Sequence, residues 1–185
     1  MISTSDISNG VNFKIDDQIF SVIWFQHHKP GKGGAMVRLK LKNLRTGAII
    51  ETTVKSGEKF EEVILNKKKM QFLYKEGLDF VFMDNETFDQ IRINPDHIGE
   101  SAKFLQDNME VDILFYQDEI LGIQLPSTVI LEVIYTEQGL KGDTQTGAVK
   151  PATLETGAEI NVPLFINVGD KLKIDTRTGE YVQRV

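Results

Sequence analysis

The chain has 185 residues, no cysteine and a net charge of −6. That length suits one to three small domains, and the missing cysteine excludes a disulfide framework, a thiolate zinc site and a cysteine nucleophile. No apolar run approaches the roughly 20 residues of a membrane span, and the N-terminus lacks a basic region followed by an apolar stretch, so a soluble, cytoplasmic protein with no membrane partner is expected.

The first element is an apolar strand, Ile19 to Phe25. A basic loop follows, His28-Lys29-Pro30-Gly31-Lys32-Gly33-Gly34, and then a stretch that alternates Val37, Leu39 and Leu41 with Arg38, Lys40 and Lys42. Strand, tight turn and alternating strand predict a β-hairpin. Pro30 fixes one φ angle, while three glycines leave the tip free of bulky side chains, so Lys32 is carried outward without close neighbours. Such a lysine can enter a narrow cavity or be modified by another enzyme. Trp24, inside the apolar run, is expected in the core and not as a base-stacking platform.

Charge is unevenly spread. Lys and Arg outnumber Asp and Glu by 9 to 7 in residues 1–64, but are outnumbered 6 to 12 in 65–126 and 6 to 8 in 127–185. From Gln26 to Ile50 there are six basic residues and no acidic one: Lys29, Lys32, Arg38, Lys40, Lys42 and Arg45. Such a stripe is either a solvated strand face or a surface for an anionic partner, since binding to phosphate backbones follows local and not net charge.

Short strands come next, Gln71–Tyr74, Leu78–Met83 and Phe88–Ile93, divided by Lys-Glu-Gly and Asp-Asn-Glu turns. A helix is predicted with Asn94 as N-cap, Pro95 at its first position and apolar Ile98, Ala102 and Leu105 behind. Met109–Phe115 and Ile120–Leu125 resume the strand pattern, which matches a five-stranded Greek-key barrel of the oligonucleotide-binding (OB) type. Pro126-Ser127-Thr128 marks a boundary. Thr128–Tyr135 opens a third unit, and the stretch Lys141 to Pro151 is too polar and glycine-rich for a core strand. Ile160–Ile166, Lys171–Asp175 and Glu180–Val185 close that unit, so the expectation is all-β, three consecutive small β-barrels.

Catalytic chemistry finds little support. His27 and His28 point to opposite faces of a strand and His97 has no ligand spacing around it, so no metal site is expected. Gly31-Lys32-Gly33-Gly34 lacks P-loop spacing, has no hydroxyl after the lysine, and leads into a strand where a P-loop needs a helix N-terminus. The carboxylate pairs Asp16-Asp17, Glu61-Glu62 and Asp118-Glu119 read as solvated turns, and no Ser/His/Asp set stands out. No catalytic residue and no cofactor are expected.

The hairpin Lys29-Pro30-Gly31-Lys32-Gly33-Gly34-Ala35, with Asn43-Leu44-Arg45-Thr46-Gly47 after it, resembles bacterial translation elongation factor P. So do Gly142-Asp143-Thr144-Gln145-Thr146-Gly147-Ala148-Val149-Lys150-Pro151-Ala152-Thr153-Leu154-Glu155-Thr156-Gly157 and Asp175-Thr176-Arg177-Thr178-Gly179-Glu180-Tyr181. The resemblance spans essentially the whole chain. It implies a KOW/SH3-like N-terminal domain (1–64), an OB-fold middle domain (65–126) and an OB-fold C-terminal domain (127–185). It also implies a monomeric, non-enzymatic factor that binds the ribosome between the peptidyl and exit sites, on rRNA and ribosomal protein, and stimulates peptide-bond formation at consecutive prolines.

On this likeness, Lys32 matches the tip lysine that a dedicated enzyme modifies in many members. Lys29, Pro30, Gly31, Lys32, Gly33, Gly34, Arg38, Lys40 and Lys42 would face peptidyl-tRNA and rRNA. Gly142, Asp143 and Thr144 would approach the messenger RNA codon in the exit site, where Asp143 could accept from base amino groups; without the likeness the same residue reads as an ordinary Asx turn. The acidic middle domain would be a spacer more than an RNA-contacting surface. Two other readings are a general KOW/OB RNA-binding protein and an elongation factor P-like paralogue without the proline role. A small enzyme using Lys32 as a Schiff-base or phosphate-binding lysine would need a desolvated pocket, the opposite of a glycine-flanked tip.

Overall fold

A computed structural model describes residues 1–29, 34–138 and 147–185. The chain is all-β and forms three sheets, with every registered strand pair antiparallel. By contact it divides into two compact units, residues 1–68 with 113–122, and residues 69–112 with 123–185.

The first sheet contains β1 (Ile2–Ser3), β2 (Asn12–Ile15), β3 (Gln18–His28), β4 (Met36–Asn43), β5 (Ile49–Lys55) and β6 (Lys59–Glu62). Their order across the sheet is β1-β6-β2-β3-β4-β5. Asp16 and Asp17 join β2 to β3, both with positive φ (49° and 62°), the geometry of a two-residue hairpin turn. Val37, Leu39 and Leu41 are buried as their alternation predicts, packed with Phe13, Phe20, Val22 and Phe60. Phe13 and Phe60 stack with ring centroids 4.7 Å apart.

The second sheet runs β11-β10-β7-β8-β9, from β7 (Asn66–Glu76), β8 (Asp79–Asp84), β9 (Gln90–Ile93), β10 (Glu110–Tyr116) and β11 (Glu119–Gln124). Phe72, Phe80 and Phe82 form an aromatic core with centroids 5.9 and 5.4 Å from Phe72. The helix starts as predicted, with the Asn94 side chain accepting from the Asp96 amide and Pro95 in the first turn. It does not continue to Leu105. The α-helix α1 (Pro95–Ile98) stops where Gly99 takes φ 57°, and a 3₁₀ turn carries the chain from Gly99 to Phe104. The tighter turn suits the packing, since Ile98, Phe104 and Leu105 are all buried.

The third sheet runs β14-β13-β12-β15-β16, from β12 (Thr128–Thr136), β13 (Val149–Leu154), β14 (Glu159–Pro163), β15 (Lys171–Asp175) and β16 (Tyr181–Arg184). Two expectations change here. The polar stretch was expected to reach Pro151, yet Val149, Lys150 and Pro151 already pair with Pro163, Val162 and Asn161. Pro151 is tolerated because the registered pairing with β12 begins one residue later, at Ala152, so its missing N–H falls at the end of that ladder. The strand expected over Ile160–Ile166 ends at Pro163, while Ile166 is buried in the core with Leu131, Val133, Leu154 and Leu172.

One turn design recurs in all three sheets. Asn43, Asp84 and Asp175 each accept, through the side-chain oxygen, the backbone N–H two residues on, at 2.9, 2.8 and 2.8 Å. Thr46, Thr87 and Thr178 then accept from the amide two residues later, each at 3.3 Å. Between them sits a positive-φ residue, Gly47, Phe88 or Gly179. Asn43-Leu44-Arg45-Thr46-Gly47 and Asp175-Thr176-Arg177-Thr178-Gly179 are thus turn-building sequences before they are anything else.

The last of these turns titrates distinctively. The Arg177 guanidinium, followed by the Arg177 backbone N–H, holds the Asp175 carboxyl down to about 2. A carboxyl depressed on folding stabilises above its unfolded value of about 3.9 and loses that contribution as pH falls through its folded value. An NMR titration is expected to place Asp175 near pH 2 in the intact chain and higher in Arg177→Ala. An unchanged midpoint in the variant would assign the shift to the backbone alone.

Candidate functional site

The hairpin β3–β4 positions most of the sequence-derived site. Lys29 and Gly34 flank its tip and both are exposed, while Pro30, Gly31, Lys32 and Gly33 lie outside the described residues. A Cβ built at Gly34 meets nothing within 4 Å, so packing does not demand glycine there. Gly142, Asp143 and Thr144 also lie outside the described residues.

Along β4 the alternation sends Arg38, Lys40 and Lys42 to the face opposite the core. The three are not equivalent. Lys40 stands opposite Glu51 of β5 and pairs with it at 3.8 Å. Arg38 and Lys42 are exposed and make no ion pair among the described residues. Glu51 begins the acidic sequence one residue past the uninterrupted basic run, and the register brings it back across the strand.

Arg45, the sixth member of that run, is committed elsewhere. Its Nε and Nη2 donate to the two carboxylate oxygens of Glu119, both at 2.8 Å, and Nη1 donates to the Asp17 carbonyl at 3.0 Å. A bidentate fork with a further backbone bond leaves little of the guanidinium for a phosphate. Glu119 therefore opens strand β11 as an ion-pair partner and is not a solvated turn residue. Glu61 is likewise in strand β6, where Lys14 donates to it at 3.1 Å. Tyr116 and then Glu61 raise the Lys14 pKa, and the ammonium sits 5.1 Å from the Tyr116 ring centroid.

Sequence reasoning placed Trp24 in the core, and the structure overturns that. Val22 pairs with Leu41, but Trp24 pairs with Lys40, so Ile23 is an extra residue in β3. This bulge reverses the facing of the strand: Val22 stays buried, while Trp24 is 44% exposed on the face that carries Lys40 and Arg38. An apolar run without alternation holds no signal of the reversal. Trp24 and Arg38, with Leu39, Glu51, Thr52 and Thr53, line an open groove of about 390 Å³.

A second residue was also missed. Lys150 is buried, and its Nζ donates to the Glu137 carbonyl at 2.7 Å. Beside it the Thr136 hydroxyl donates to the Pro151 carbonyl at 2.9 Å. Both bonds join β13 to the end of β12, the two strands that flank residues 139–146.

Among the described residues no group of three His, Asp or Glu side chains could hold a metal ion, and no helix is long and apolar enough to cross a membrane. What the hairpin offers is a cationic sheet face with an exposed aromatic, on an all-β chain. Family models agree along the chain: "Elongation factor P (EF-P) KOW-like domain" matches residues 3–60, "Elongation factor P (EF-P) OB domain" 65–123, and "Elongation factor P, C-terminal" 129–184. Proteins named elongation factor P from Caldanaerobacter subterraneus subsp. tengcongensis and Thermoanaerobacter sp. (strain X514) are 54% and 52% identical over 185 residues, covering 100% of each chain. The one from Pelotomaculum thermopropionicum is 50% identical over the same length. The chain belongs to the elongation factor P family, whose members are translation factors and not enzymes.

Proposed function

We propose that this protein binds the ribosome between the peptidyl and exit sites and stimulates peptide-bond formation when consecutive prolines stall it. The observation that carries this reading is the exposed pair Arg38 and Lys42, without an ion pair among the described residues, on the sheet face of the hairpin whose tip sequence holds Lys32. Both side chains can reach phosphates of peptidyl-tRNA or rRNA, with Lys29 beside the tip adding a third charge. Lys32 would extend toward the aminoacylated end of the peptidyl-tRNA and be the substrate of a lysine-modifying enzyme. Proline is a conformationally restricted reactant, and holding peptidyl-tRNA in an attack-ready geometry lowers the entropic part of the barrier without any new acid or base. The working domains are 1–64, 65–126 and 127–185, acting as a cytoplasmic monomer.

Gly142, Asp143 and Thr144 would contact the exit-site codon, where the Asp143 carboxylate can accept from a base amino group and glycine permits close approach. Purified translation of a reporter with three consecutive prolines tests both parts. The protein is expected to accelerate that reporter and leave a proline-free control unchanged. Asp143→Ala is expected to reduce the acceleration unequally across exit-site codons, because a base-edge contact carries sequence information and a phosphate contact does not. Equal stimulation of both reporters would sink the proline role, and equal impairment at every codon would reduce the loop to positioning.

A further inference from the structure

The groove beside Trp24 is a feature that the reading above does not require. The Ile23 bulge turns a large apolar side chain out of the core and sets it directly across from Lys40. Bulges of this kind re-aim a side chain at a defined place, and leaving an indole 44% exposed forgoes burial that the unbulged strand would have supplied. The groove it borders measures about 390 Å³, toward the small end of ligand pockets at roughly 300–1,000 Å³. Its chemistry is mixed in an ordered way. Trp24 gives a π face, Arg38 a guanidinium with no ion-pair partner among the described residues, and Thr53 a hydroxyl. Glu51 contributes a carboxylate whose charge Lys40 offsets at 3.8 Å.

We infer that this groove is a binding site for one unpaired nucleotide of RNA, its base stacked on Trp24 and its phosphate held by Arg38. Any base can stack on an indole, and a guanidinium grips phosphate in a two-pronged fork. The Glu51 carboxylate adds a preference. It can only accept hydrogen bonds, so it suits a base with an exocyclic amino group over uracil, which carries a carbonyl where cytosine carries that group. A protein segment could also cover an exposed tryptophan, but Arg38 and Lys42 on the same sheet face match a polyanion better. The inference rests on the RNA-facing reading of the hairpin and deepens it by naming a base contact.

Trp24 is the sole tryptophan of the chain, so its fluorescence reports this groove alone. Titrating the full-length protein with hexacytidylate is expected to quench the emission, hexauridylate to do so more weakly, and inorganic polyphosphate to bind without quenching. Trp24→Ala is expected to weaken binding of dye-labelled hexacytidylate by about fivefold to a hundredfold, the range of a lost base stack, with Trp24→Phe between it and the parent. No quenching by hexacytidylate, or equal quenching by polyphosphate, overturns the site, and equal responses to the two oligonucleotides overturn the role given to Glu51. With Trp24→p-benzoylphenylalanine, irradiated on the ribosome, crosslinks to RNA are expected, and crosslinks to protein alone overturn the inference. Its failure is distinguishable from that of the wider reading. Unquenched Trp24 together with weakened ribosome association in Arg38→Glu/Lys42→Glu removes only the stacking site.

Discussion

Lys32→Ala is expected to leave the fold unchanged and to remove most of the stimulation of consecutive-proline synthesis, by tenfold or more. Gly31 before it and Gly33-Gly34 after it carry no side chains in the sequence. Truncating such a side chain changes stability by under about 0.5 kcal/mol, a melting shift of a degree or two. A charge-assisted hydrogen bond made by the amine is about 1.5–3 kcal/mol, which alone corresponds to roughly tenfold to a hundredfold in rate. Loss of an attached group would add to that. The measurement pairs a thermal melt with dipeptide formation on a proline-stalled ribosome. Undiminished rescue, or a clearly lowered melting temperature, would remove Lys32 from the centre of the mechanism.

The double reversal Arg38→Glu with Lys42→Glu is expected to weaken ribosome association by roughly a hundredfold to ten-thousandfold, taking about 1.5–3 kcal/mol for each of the two charge-assisted contacts. Its salt dependence should flatten as well, since each phosphate contact contributes about 0.7–0.9 to the logarithmic slope. The pair is chosen on geometry. Both side chains are exposed and make no ion pair among the described residues, whereas Lys40 already faces Glu51 and Arg45 is held by Glu119 and the Asp17 carbonyl. Lys40→Glu alone should therefore cost less than either of the other two. Pelleting with ribosomes across a salt series gives both quantities at once. An unchanged affinity and slope would mean that the stripe is a solvated face.

Much of the first sheet was legible because its period was clean. Val37, Leu39 and Leu41 alternate with Arg38, Lys40 and Lys42, and a strand with one buried side has no other way to place them. The helix start was legible for the same local reason: the Asn94 side chain accepts from the Asp96 amide, and Pro95 has no N–H that needs a partner. Its end was not, because Gly99 and the burial of Phe104 depend on what the chain meets there. Strands β1, β2, β5 and β6 were not assigned, and β1, β2 and β6 are only two to four residues long, too short for a period to stand out. In β5 no residue is fully buried, so its sequence need not repeat with a period of two.

Residues alone determined the all-β class, the basic hairpin and the kind of protein that the two signature stretches resemble, since these rest on patterns between near neighbours. Tertiary structure decided which of the basic residues are held in ion pairs. Glu119 lies 74 positions from Arg45, and no local rule joins them; the sheets do. The same holds for Trp24. Every residue from Ile19 to Phe25 except Ser21 is apolar, so the sequence offers no phase, and one extra residue in a strand is enough to exchange its faces. Inward or outward was settled by register against β4, where Leu41 takes Val22 into the core and Lys40 takes Trp24 to the surface.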